Sequence, residues 1–392
     1  MSMETRQPSL RIGRNVWDPI NMPEAEFQQR VREIRRKMKQ RGLDILLVYS
    51  NGFNDCGNTC YVSNYGIRLP RGVLVALPLN GEPVLFFEGS SRGLPFAKTT
   101  TWISDIRPCG DVAKECAKYL SENNLVSSSI GLVGLKHQMP HRQFRSLAEA
   151  LKECTVDDAD SMLQDLRMVK SQRECDQIRR SSRIVKHVFD FLANAAIPHM
   201  NETAVEAAIY REARLAGAED VRILFSNPGE DQWALRLPED ATVAEGQTFI
   251  VYLAAAFERY WAEAIRTFVV QNGSFEEPEL ENAEALFKRI ADEIKPGKAV
   301  SQFCGEAIKE IQEDGFGLIS EYGFGGGIGL SLNEPPAITQ VHANDLKEGM
   351  CLALRLALKD KSLGGIMTAN TLVVKRSGAE LLTASVGTLN KP

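Results

Sequence analysis

The sequence lacks several things that would place it quickly. No stretch reaches the roughly eighteen consecutive apolar residues of a membrane-spanning helix, so no membrane association is expected. It has no basic excess: Lys and Arg total 46 against 51 Asp and Glu, the formal net charge is −5 and the pI about 5.8. That balance leaves no electrostatic footprint for nucleic acid. The N-terminal MSMETRQPSLRIGRN has basic residues without an apolar core behind them, and does not read as a secretory signal. The eight cysteines are scattered rather than packed into a short scaffold, which favours reduced thiols and a cytoplasmic location. Cys56 and Cys60 form a C-x3-C pair with no second pair or histidine beside it, so zinc is not expected. Low-complexity segments are absent as well.

What is present is an ordinary globular composition, 44% hydrophobic and 25% charged. At 392 residues the chain is long enough for two domains. Apolar residues at Phe27, Val31, Ile34 and Met38 mark one face of a helix over residues 24–41, with Gly42 as its C-cap. Leu43–Tyr49 reads as a buried strand, and Gly72–Leu77 with Val84–Phe87 as a hairpin. Helices at 111–123 and 140–153, around a strand at 130–135, complete an α/β domain over residues 1–160. A polar segment, 160–173, reads as the connector. Beyond it, Ile178, Val185, Val188, Phe189 and Leu192 stripe a long helix over 174–196, and a second helix is expected at 202–216. Strands at 247–255, 259–271, 350–358 and 370–375 alternate with helices at 278–294 and 302–314. This order predicts an α+β domain over 161–392, an antiparallel sheet covered on one face.

The densest local signal is EYGFGGGIGLSLNEPP (321–336), where Gly325, Gly326 and Gly327 let the backbone approach a pocket closely. Together with DLRMVKSQRECDQIRRSS (165–182), EGQTFIVYLAAAFERYWAEAIRTFVV (245–270), LKEGMCLALRLAL (346–358), GGIMTANTLVVKRSGAELLT (364–383) and NTCYVSNYG (58–66), it resembles the creatinase/aminopeptidase P/prolidase family. That resemblance implies a pita-bread C-terminal domain and a homodimer. Most members hold two divalent metals through two aspartates, a histidine and two glutamates, and the metals activate a water. In this chain the matching positions carry Tyr252, Glu263, Gly326, Arg355 and Ala369. One carboxylate survives and a permanent cation has arrived, so no metal cofactor is expected and a dinuclear metallopeptidase is rejected. Creatinase, the metal-free member, is closest in kind, although its acid–base histidine has no counterpart in the loop 225–239.

The resemblance directs attention to Tyr252, Glu263 and Arg355. Strand alternation puts Glu263 and Ile265 on one face and Arg266 on the other. Two readings stay open. In the first, Glu263 or Tyr252 transfers a proton and Arg355 holds an anion; in the second, the pair merely fills a vacated cavity. Asn333 and Glu334 of NEPP, Trp233, and in the first domain Tyr61, Arg68 and Arg71 are candidate substrate contacts. None of the five histidines stands at a family functional position; His342 is nearest in sequence. The functional expectation is a metal-independent hydrolase or lyase of a small polar, carboxylate-bearing molecule, with C–N cleavage of creatinase type favoured. The alternative is a catalytically silent binding module.

Overall fold

The computed structural model describes residues 16–384 apart from 53–55, 68, 70, 195–199, 228–233, 247, 271–277, 320–322 and 343. The chain divides into two compact units, Met1–Arg167 and Met168–Pro392. The first contains α1 (Glu24–Arg41), β1 (Ile45–Asn51), α2 (Gly57–Ser63), β2 (Gly72–Pro78), β3 (Val84–Glu88), α3 (Leu94–Lys98), β4 (Asp105–Cys109), α4 (Val112–Glu122), β5 (Ser129–Val133), α5 (Leu135–Gln138), α6 (His141–Ala150) and β6 (Thr155–Asp158), with α7 (Asp160–Met168) at its end. Its sheet runs β4-β3-β2-β1-β5-β6, antiparallel across β1, β2 and β3 and parallel elsewhere. Gly42 caps α1 in the left-handed region at φ 67, as expected of a C-cap glycine.

The second unit contains α8 (Gln172–Ala193), α9 (Glu202–Leu215), β7 (Asp220–Ser226), β8 (Thr248–Phe257), β9 (Tyr260–Val269), α10 (Pro278–Asp292), α11 (Val300–Glu313), β10 (Gly317–Leu318), β11 (Gly325–Gly327), β12 (Glu334–Ala337), β13 (Cys351–Asp360), β14 (Gly364–Lys375) and β15 (Gly378–Leu381). Seven strands pair antiparallel in the order β12-β11-β13-β14-β9-β8-β7. Alternation along these strands separates two faces. One face sends Val251, Leu253, Ala255, Ala262, Ala264 and Phe268 into the core formed with α8 and α9. Leu352, Leu354, Leu356, Leu358, Leu372 and Val374 do the same beneath α10 and α11. The opposite face carries Tyr252, Glu263, Thr371 and Arg355. The expected α/β plus pita-bread α+β architecture is therefore the one observed.

Helix α8 is fixed by a cap at its start and by a buried apolar stripe along its length. Ser171 closes a capping box: its side chain accepts from the Glu174 N–H at 3.2 Å, and the Glu174 carboxylate accepts from the Ser171 N–H at 3.0 Å. Ile178, Val185, Val188, Phe189 and Leu192 are all buried along it; each contributes about 1.5–3 kcal/mol of burial.

Three local expectations change. The segment read as a polar connector is helical through α7. NTCYVSNYG, likened to an opening strand, instead forms α2, a helix whose seven residues are all buried. The glycine run owes its composition to backbone crowding. At Gly325, with φ +92, an added Cβ would meet the Ala353 carbonyl oxygen at 1.9 Å, and at Gly327 it would meet the Pro335 carbonyl oxygen at 2.4 Å. Strand β11 is squeezed between β13 and β12, and at 325 and 327 only glycine fits.

Candidate active site

The register of the sheet assembles a polar cluster on the face away from the helices. Tyr252 pairs with Ile265, Ile265 with Ala369 and Ala369 with Arg355, so these four lie in one cross-strand row and share a face. Glu263 sits two residues along β9 from Ile265, on the same face. Both ends of the row reach back to it. The Tyr252 hydroxyl donates to Glu263 Oε2 at 2.9 Å. Arg355 donates Nε to Oε1 at 2.6 Å and Nη2 to Oε2 at 2.9 Å, a two-point fork. Arg355 has to cross Ala369 to do this, and a methyl group is small enough to let it pass.

Glu263 is fully buried, while the Arg355 side chain keeps 22% exposure. The guanidinium, with Nη1 making no bond to any described residue, is therefore the part of the cluster that meets solvent. Burial, reinforced by the Glu263 charge, pushes the Tyr252 hydroxyl well above the usual phenol range, so it stays a donor. The backbone of Glu263 is held by hydroxyls. Its N–H donates to Thr371 Oγ1 at 2.8 Å, and its carbonyl accepts from Thr371 Oγ1 at 2.8 Å and Thr383 Oγ1 at 3.3 Å. Arg266 points the other way, as alternation requires. It stacks 5.4 Å from the Phe189 ring of α8 and donates to the Ala369 carbonyl; burial lowers its pKa to about 10.

The structure brings Tyr252, Glu263 and Arg355 together. Glu334 is buried in an ion pair with Lys170 at 2.9 Å and accepts from the Ser331 N–H at 3.0 Å, so its carboxylate faces the protein. Asn333 is exposed on the loop before it. In the first unit, Tyr61 is buried with the Arg30 guanidinium 4.7 Å from its ring centroid, and Arg71 donates to the Glu88 carbonyl at 3.3 Å. Arg68 and Trp233 lie outside the described residues. Sequence reasoning singles out neither Arg222 nor Trp261, which lie on the same face as Glu263. The alternation of Val221, Ile223 and Phe225 toward the core is the signal that puts Arg222 on the opposite face.

Comparison with known proteins gives this arrangement its setting. Residues 30–169 match the Creatinase/Prolidase N-terminal domain, and residues 176–376 match Metallopeptidase family M24. The chain belongs to family M24. One relative is the Xaa-Pro dipeptidase of Pyrococcus horikoshii, 22% identical over 364 residues that cover 91% of this chain and 97% of that protein. Among solved structures, the prolidase from Pyrococcus horikoshii OT3 superposes with a TM-score of 0.77 at 20% identity, covering 92% of this chain and all (100%) of that one. An X-Pro aminopeptidase from Thermotoga maritima gives 0.76 at 20% identity, covering 90% and 97%.

These findings correct the functional expectation. Relatives named as Xaa-Pro peptidases, matched over nearly their whole length, overturn both the metal-independent hydrolase or lyase of creatinase type and the catalytically silent module. The M24 name does raise the question of metal, and the donor set answers it at this centre. A pair of divalent ions needs several anionic oxygens. Here the only carboxylate of the cluster already accepts three hydrogen bonds, two of them from a guanidinium. Opposite it, at Gly326, an added Cβ already comes within 3.1 Å of the Pro336 carbonyl oxygen. The family's ions do not fit these residues. Among the described residues the one group with metal-ligand geometry is His137, Asp158 and Asp160 of the first unit. It is mostly exposed and has Lys136 on Asp158.

Proposed function

We propose that this M24 member hydrolyses short peptides, with Xaa-Pro dipeptides the first substrates to test. The observation that supports this is the correspondence with an Xaa-Pro dipeptidase through both units and over 97% of its length. The site residues take their roles from geometry. The Nη1 edge of Arg355 is the group that meets a scissile carbonyl and its developing oxyanion. Glu263 fixes the guanidinium, and Tyr252 holds Glu263 from the other side and is the one hydroxyl of the trio. Its raised pKa keeps the hydroxyl protonated, and that proton is donated to Glu263.

The test is release of free proline from a panel of Xaa-Pro dipeptides by the purified chain, with and without added Mn2+. Cleavage that drops about a hundredfold or more in Arg355→Ala, on the scale of losing an oxyanion donor, supports the reading. Absence of cleavage of any dipeptide under both conditions overturns it. Cleavage that depends on Mn2+ would leave the peptidase reading standing and overturn the argument that the cluster excludes an ion.

A further inference from the structure

Two arginines share the open face of the sheet, and they differ in which donors are free. Arg355 has spent its Nε/Nη2 edge on Glu263. Arg222, on the edge strand β7, is held by the other end: Nη1 donates to the Asp220 carboxylate and, at 3.0 Å, to the Val221 carbonyl. Its Nε and Nη2 donate to nothing among the described residues, and 51% of the side chain is exposed. That free edge is the planar pair of N–H groups that binds a carboxylate at two points.

The guanidinium is also positioned. It lies 5.4 Å from the centroid of the Trp261 ring, a stacking contact. The Trp261 indole is itself nearly buried, and its backbone N–H donates to the Gly329 carbonyl at 2.7 Å, just past the glycine strand. Arg222 pairs with Ala254, and Ala254 with Glu263. Arg222 and Glu263 are thus two strand spacings apart, about 10 Å at the backbone, with only a methyl group on the strand between. A dipeptide extends about 7 Å, so one molecule lying along this row would meet the Arg355 guanidinium, held on the buried Glu263, near one end and Arg222 near the other.

Building on the peptidase reading, we propose that Arg222 is the residue that recognises the terminal carboxylate of a short peptide, its fork held on the Trp261 ring. It is a specificity determinant and does not touch the reacting bond. It would favour dipeptides ending in a free carboxylate over blocked or longer chains.

The test is calorimetric binding of glycyl-proline and glycyl-proline amide to the full chain and to Arg222→Ala and Arg222→Lys, with thermal melts confirming the fold of each. The expected result is that the wild type binds the free acid roughly 10- to 100-fold tighter than the amide, the range of a charged hydrogen-bonded contact. Arg222→Ala should lose that preference, and Arg222→Lys, which keeps the charge without the fork, should recover only part of it. Equal binding of acid and amide by the wild type, or an unchanged preference in Arg222→Ala, overturns the assignment to Arg222 while the peptidase reading stands. If the wild type binds neither ligand, the peptidase reading itself falls, and the role of Arg222 with it.

Discussion

At position 355 a permanent cation stands in a row of the sheet where relatives of this fold are expected to carry a carboxylate, and the consequences are energetic before they are functional. Glu263 is fully buried, and a buried carboxylate needs a partner. Removing Arg355 leaves that charge with a tyrosine hydroxyl alone. Arg355→Ala is therefore expected to cost about 3–5 kcal/mol, the cost of breaking a buried ion pair from one side. The double variant Arg355→Met with Glu263→Gln should be distinctly more stable than Arg355→Ala, because no unpaired charge remains. Urea unfolding of the three proteins checks this, and equal midpoints for the single and double variants would sink the argument. The same pair decides the response to metal. An ion that binds only the native state raises its stability with concentration, so millimolar Mn2+ should leave the melting temperature of the second unit unchanged. A saturable rise that disappears in Glu263→Gln would show an ion at this centre. Tyr252, Glu263 and Arg355 were legible in the sequence because strand alternation and family position agree. The closed state of Glu263, with every contact internal, was not, since it depends on Ala369 being small enough for Arg355 to cross.

At the scale of elements, the sheet keeps its shape through close backbone contacts that side-chain patterns do not announce. Gly325 has its missing Cβ direction pointed at the Ala353 carbonyl and adopts φ +92; both facts forbid a side chain. Gly325→Ala should destabilise by at least about 2 kcal/mol. Gly326→Ala should cost much less, since an added Cβ there meets its nearest atom at 3.1 Å and φ is not positive. Thermal melts of the pair check the ranking, and a reversal would mean that β11 is not clamped as described. At α8, Ser171→Ala removes half of a capping box and should cost about 1 kcal/mol. The apolar stripe of α8 could be read directly because one face of that helix is wet. Helix α2 could not, since all seven of its residues are buried and no polar face imposes a period. Its brevity removes the other cue, as propensity is informative only when summed over a longer window.

For the whole molecule, the two units have separate cores, one around β1, β2, β3 and β5 and the others on either half of the long antiparallel sheet. Composition and alternation suffice for that much, because each core is written in its own run of apolar residues. The pH range over which the second unit holds together is set by paired carboxylates, with Glu202 the clearest. Burial alone would raise its pKa. It is outweighed by two bonds from Arg236 at 2.7 and 2.9 Å, one from the Glu239 N–H at 2.9 Å and one from Asn227 at 2.9 Å, so the folded pKa lies below the ordinary 4.5. These bonds tie Asn227, just after β7, and Arg236 and Glu239 further along the chain to the start of α9. A carboxyl depressed in the folded state binds its proton more readily when unfolded. Its contribution is therefore fully present above about pH 4.5 and lost as the pH falls through the folded value. Glu202→Gln should accordingly lower the melting temperature at pH 7, with the gap to wild type closing as the pH drops from 5 toward 3. Melts of both proteins across that range check the sign. A gap that stays constant with pH would mean that the carboxylate charge of Glu202 contributes nothing and that its four hydrogen bonds act only through shape.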